Sequence, residues 1–262
     1  MHLHSRRSTP DDDADFGFDP LALEGDAREV APDEGPALFP FAADFPPSLL
    51  AESTRVDEPH DTRVLVRVRD LEGLGRRLDA IMVLRQSLGE EPGNVRLRLR
   101  LAELLEASGE EDTALEELEA GIRASRWDAA LQVQRGALLG RMGRHPEAER
   151  ELRAAIAMAP DSVDAALHLG LSLLRRGRHS DALPELERAQ SLDPQRGDVA
   201  FHLGEAWYHG GQLDRALQNL MRASELAPED PRAYKLLGRL LDRMGRTEEA
   251  MVMHRKAREA GH

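Results

Sequence analysis

Three stretches of the chain start 34 residues apart: VDAALHLGLSLLRRGRHSDALPELERAQSLDPQR from Val163, GDVAFHLGEAWYHGGQLDRALQNLMRASELAPED from Gly197, and PRAYKLLGRLLDRMGRTEEAMVMHRKAREAGH from Pro231. Counting places within each unit, place eight is Gly170, Gly204 and Gly238, and place fifteen is Gly177, Gly211 and Gly245. Place twenty is Ala182, Ala216 and Ala250, and place twenty-seven is Ala189, Ala223 and Ala257. Going backwards, the frame fits residues 129–162 with Gly136, Gly143, Ala148, Ala155 and Pro160, and residues 95–128 with Ala102, Gly109, Ala114 and Gly121. Residues 61–94 keep only Gly75, Ala80 and Pro92, a degenerate copy. A fixed period of this length means that one small unit recurs and buries its apolar face against its neighbours.

The residues of one unit say what the unit is. From Val163, the residues Ala166, Leu169, Gly170 and Leu173 fall on one stripe of a first helix. Gly177 ends that helix and supplies a turn, and Ala182, Leu186 and Ala189 face back from a second helix. Pro194 closes the unit, because the residue before a proline is pushed out of the α region. Hydrophobic residues make up 41 % of the chain but aromatics only 4 %, so the interior is built of Leu and Ala, as packed helices require. One local conflict arises at Pro184. If Ser180 caps the second helix, Pro184 removes an N–H that the helix would use, and a late helix start is expected.

The pattern resembles the tetratricopeptide repeat family, which has a 34-residue period, a Leu-Gly pair, an alanine near place twenty and a proline near the end. The resemblance implies an all-α, right-handed superhelical α-solenoid whose first helices line a continuous concave surface. It implies a non-enzymatic scaffold or adaptor that binds a partner peptide or helix there, by protein–protein interaction. Places two, five, six, nine, twelve and thirteen of the first helix are not used within the helix pair and are read as the groove. They offer Leu167, His168, Leu171 and Arg175, then Phe201, His202, Glu205, Tyr208 and His209, then Lys235, Arg239 and Arg243. Earlier units offer the more mixed Arg96, Leu99, Arg100 and Glu103, and Ala130, Val133, Gln134, Ala137 and Arg141. Some family members grip a chaperone C-terminal carboxylate with Asn at places six and nine. The asparagines here are Asn94 and Asn219, at neither place, so that ligand is not expected. Aliphatic and aromatic surface beside basic residues suits a peptide alternating apolar with acidic side chains.

Residues 1–60 read differently. They hold fourteen Asp or Glu against four Arg, a net −10 of the chain's −13, and eight of its fifteen prolines, with no sustained periodicity. Such a segment buries too little apolar area to offset its ordering entropy and reads as a disordered tail. Yet Phe16, Phe18, Leu21, Leu23, Phe39, Phe41 and Phe45 lie in it as apolar islands, the form of short motifs that order on a second partner or on the chain's own array. The acidity disfavours a nucleic-acid partner.

Chemistry is tempting at one place. His168 and His202 share a place in neighbouring units and His209 follows, but no two have the four-residue spacing of a helical ligand pair. They read as groove residues that hydrogen-bond a peptide, with no metal and no cofactor. The chain has no cysteine, hence no disulfide, thiol catalysis or Cys-ligated zinc. No nucleophile elbow, phosphate loop or dinucleotide fingerprint is present, and no enzyme is expected. The sequence shows neither the apolar run of a signal peptide nor a membrane span, so a cytoplasmic location is expected, and of its 35 basic residues only Lys235 and Lys256 are lysine, an arginine bias that suggests a bacterium of high GC content. Two apolar triplets, Ile81–Val83 and Met251–Met253, stand where other units are mostly polar after the first residue and suggest self-association. The rival to the scaffold reading is a secretion or assembly chaperone that shields an apolar substrate segment in the same groove.

Overall fold

The structure, a computed structural model, describes residues 59–125 and 128–261. The tail motifs Phe16, Phe18, Leu21, Leu23, Phe39, Phe41 and Phe45 lie outside the described residues. Six helix pairs follow one another: α1 (His60–Gly73) with α2 (Arg77–Glu90), α3 (Val95–Ala107) with α4 (Glu111–Ala124), and α5 (Ala129–Arg141) with α6 (His145–Met158). Then come α7 (Val163–Arg175) with α8 (His179–Leu192), α9 (Gly197–His209) with α10 (Leu213–Leu226), and α11 (Pro231–Arg243) with α12 (Thr247–Glu259). The described residues contain no strand.

The recurring glycines do two separate jobs. Gly75, Gly109, Gly143, Gly177, Gly211 and Gly245 all take a left-handed φ of 72° to 79°, which side chains with a Cβ rarely adopt. In the first of these turns the Gly75 N–H donates to the Glu72 carbonyl and the Arg76 N–H to the Leu71 carbonyl, each at 2.8 Å, so the ending helix keeps its carbonyls paired. The other glycine sits inside the first helix, where the second helix crosses. A Cβ on Gly136, Gly170 or Gly204 would stand 2.6 to 2.7 Å from the Cγ of Leu152, Leu186 or Leu220. First helices open on polar caps: Asn94, Asp128, Ser162 and Asp230 accept from backbone N–H groups of α3, α5, α7 and α11.

Pairs stack so that each first helix packs on its own second helix and also meets the first helix of the next pair, whereas second helices make no comparable contact with one another. First helices therefore lie on the inner side of a bent α-solenoid. Three successive leucine- and alanine-rich clusters form a core along the stack, from Val64 to Leu240. Helix α8 does not start late. It runs from His179 through Pro184, with Arg178 rather than Ser180 at its N-cap, and both Ser180 and Pro184 are exposed or half-buried. The proline is tolerated because the carbonyl it leaves unpaired, that of Ser180, lies at an exposed helix start.

Candidate functional site

The inner face is the flank of the first helices that neither their own second helices nor adjacent pairs cover. That rule corrects the sequence reading at place five. Leu167 is 3 % exposed and Phe201 8 % exposed, and Val133 at the same place is 9 % exposed. They pack in the core, because each first helix lies against the first helix of the following pair. His202 is also buried, at 8 %. Lys235, at place five of α11, is exposed.

In the amino-terminal half several inner charges neutralise one another across pairs. Arg96 donates to Asp61 at 2.7 Å, Arg100 pairs with Glu72, and Arg141 grips Glu106 through two hydrogen bonds, one of them 2.7 Å. The remaining capacity of Arg100 goes to Glu103 at 2.6 Å. A similar contact joins Arg196 to Asp164, and Arg196 also forks onto Asp198 at 2.6 and 3.0 Å. Burial pushes the Asp198 carboxyl up, but its bonds to Arg196 prevail and hold it below the usual carboxylate range. His168 is half-buried nearby. Burial, aided by the positive charge of Arg141, pushes its imidazole down to about 4, so it is neutral at neutral pH.

Further along, the side chains available to a ligand change in kind. Leu171 and Tyr208 are half-buried and present apolar surface. Glu205 lies 3.0 Å from His202 Nδ1, a bond that holds its carboxyl below the ordinary range. The exposed ring of His209 stacks on His179 of the preceding pair, with centroids 5.0 Å apart, and meets Tyr208 edge-on at 5.5 Å. Arg243 lies over the Tyr208 ring at 5.5 Å, and Arg232 over Phe201 at 5.0 Å. Arg175, Lys235 and Arg239 are exposed, and among the described residues none of them pairs with a carboxylate.

Sequence reasoning missed the Asp61–Arg96, Glu72–Arg100 and Glu106–Arg141 ladder and the Arg196 fork. Part of the signal was present: once units are aligned, Asp61–Arg96 and Glu106–Arg141 join residues one place apart in neighbouring first helices, whereas Glu72–Arg100 joins place twelve to place six and carries no such mark. On the outer side, buried Glu149 accepts from Arg153 at 3.1 Å, Arg176 at 2.5 Å and Arg178 at 3.2 Å, tying α6 to the following pair. Neighbouring units hold a leucine at its place. The described residues contain no group of three or more His, Asp or Glu placed to hold a metal ion. None of the described helices is long and apolar enough to cross a membrane.

No curated protein matches the chain. Among solved structures it is similar to MamA 41-end from Desulfovibrio magneticus RS-1, at 23 % identity and a TM-score of 0.56, over 63 % of this chain and 94 % of that one. It is also similar to MamA MSR-1, at 25 % identity and a TM-score of 0.52, over 68 % of this chain and 97 % of that one. A third likeness is YrrB, a TPR protein with an unusual peptide-binding site, at 22 % identity and a TM-score of 0.52, over 68 % and 91 % of the two chains. These likenesses concern the fold. Two family profiles described as Tetratricopeptide repeat match residues 73–135 and 173–240, and residues 133–197, so that together they cover the chain from 73 to 240 without a gap. The chain belongs to the tetratricopeptide repeat family.

Proposed function

We propose that this protein is a protein–protein interaction scaffold whose inner face, from α7 to α11, holds a partner segment alternating apolar with acidic side chains. The observation that carries the reading is the contrast between the two halves of that face. Arg96, Arg100 and Arg141 toward the amino-terminal end are ion-paired with the chain's own carboxylates, whereas Arg175, Lys235 and Arg239 make no ion pair among the described residues. Uncommitted cations beside Leu171 and Tyr208 favour carboxylates spaced between apolar side chains, since both kinds of contact are then made at once. Opposite charge speeds encounter, and the apolar contacts slow release. That YrrB, of the same fold, has a peptide-binding site adds general support.

The test is fluorescence anisotropy with three synthetic peptides of equal length: one alternating Asp with Leu and Phe, one with Lys in place of Asp, and one with Ser in place of Leu and Phe. The first is expected to bind, to weaken as salt rises, and to lose affinity at least about tenfold to Lys235→Glu with Arg239→Glu. Equal binding of all three would defeat the reading.

A further inference from the structure

Helix α12 presents an exposed stripe that none of the described residues covers. Its Met251 is 60 % exposed and its Val252 37 % exposed. The same place as Met251 is filled in the other units by Ile81 and Glu149, which are buried at 4 % and 3 %, and by Leu115, Leu183 and Leu217, which are half-buried. In those units the next helix pair provides cover, and α12 is the last described helix. The other triplet differs: Ile81 is core, Val83 packs against it, and only Met82 is exposed.

The charges flanking Met251 and Val252 state what fits. Glu248 lies one turn before this apolar pair and Arg255 one turn after, on the same face of the helix. Both are exposed, and neither has an ion-pair partner among the described residues, unlike Glu249, which pairs with Arg246. The stripe is thus acid, apolar, apolar, base, a sequence that complements itself when reversed.

We propose that α12 is a homodimer contact, in which two copies pair antiparallel about a two-fold axis passing between Met251 and Val252. The axis sets Glu248 of each copy opposite Arg255 of the other and buries both apolar pairs at the centre. An isologous contact of this kind closes on itself and stops at two copies. One helix face buries less than a standard interface, so the dimer is weak and concentration-dependent. It leaves the inner face of α7 to α11 free, so a dimer offers two peptide sites in place of one.

Sedimentation velocity of the full chain, from micromolar to sub-millimolar concentration, tests this. The wild-type chain is expected to pass from monomer to dimer. Arg255→Glu places Glu opposite Glu, and Glu248→Arg places Arg opposite Arg, so each variant alone is expected to dimerise at least about tenfold more weakly. Mixed one to one, the two variants regain opposite charges at both contacts and are expected to form a heterodimer. Circular dichroism checks that both stay folded, and both substitutions lie on exposed surface. A wild-type chain monomeric throughout, a dimer indifferent to the single substitutions, or variants that fail to associate when mixed would each overturn the proposal.

Discussion

Phe201 and Tyr208 lie two turns apart on α9 and divide two roles that the residue type alone does not distinguish. Phe201 is core and Tyr208 is half-buried with one ring face under Arg243. Phe201→Ala is therefore expected to cost about 3 kcal/mol or more of stability, seen as a lower midpoint in chemical denaturation. Tyr208→Ala is expected to cost less than Phe201→Ala while weakening the acidic, apolar peptide more, by titration calorimetry. His168 supplies a pH signature. Its folded value of about 4 lies below its ordinary 6.5, so the unfolded chain binds the proton more tightly. The neutral imidazole's stabilisation is fully present above pH 6.5 and is lost as pH falls from 6.5 to about 4. Thermal melts across that window are expected to fall less steeply for His168→Gln than for the wild type.

Helix ends and pairings are legible in the sequence because each depends on one residue with one physical reason. A glycine at place fifteen can take the left-handed turn, and a glycine at place eight admits the crossing leucine. The lining is less legible. A first helix has one flank against its own partner and another against the next pair. The 34-residue period marks the flank toward the partner, whereas the flank toward the next pair carries no such mark and resembles free surface. Leu167 and Phe201 therefore read as groove in the sequence, although both are core, as their apolar character allows. At Pro184 local propensity favours a late start, but the packing of Ala182, Leu186 and Ala189 holds the helix from His179. Pro184→Ala restores an N–H for the Ser180 carbonyl. It is expected to raise stability by about 1 kcal/mol or more, as the rise in melting midpoint would report.

Across the whole molecule, some charges join neighbouring units and others stay unpaired among the described residues. Pairs such as Asp61–Arg96 and Glu106–Arg141 join neighbouring units, as does the Glu149 cluster on the outer side. In a stack where each unit touches only its neighbours, such junctions set how far disorder at one point spreads. Arg175, Lys235 and Arg239 take no part in such pairs, and the proposed partner site rests on them. The most direct check places a photo-crosslinking residue either at Leu171 on the inner face or at Gln218, exposed on the outer helix α10, and irradiates each with the Asp, Leu and Phe peptide. Crosslinking from position 171 and not from 218 is the expected result; crosslinking from 218 alone would contradict an inner-face site.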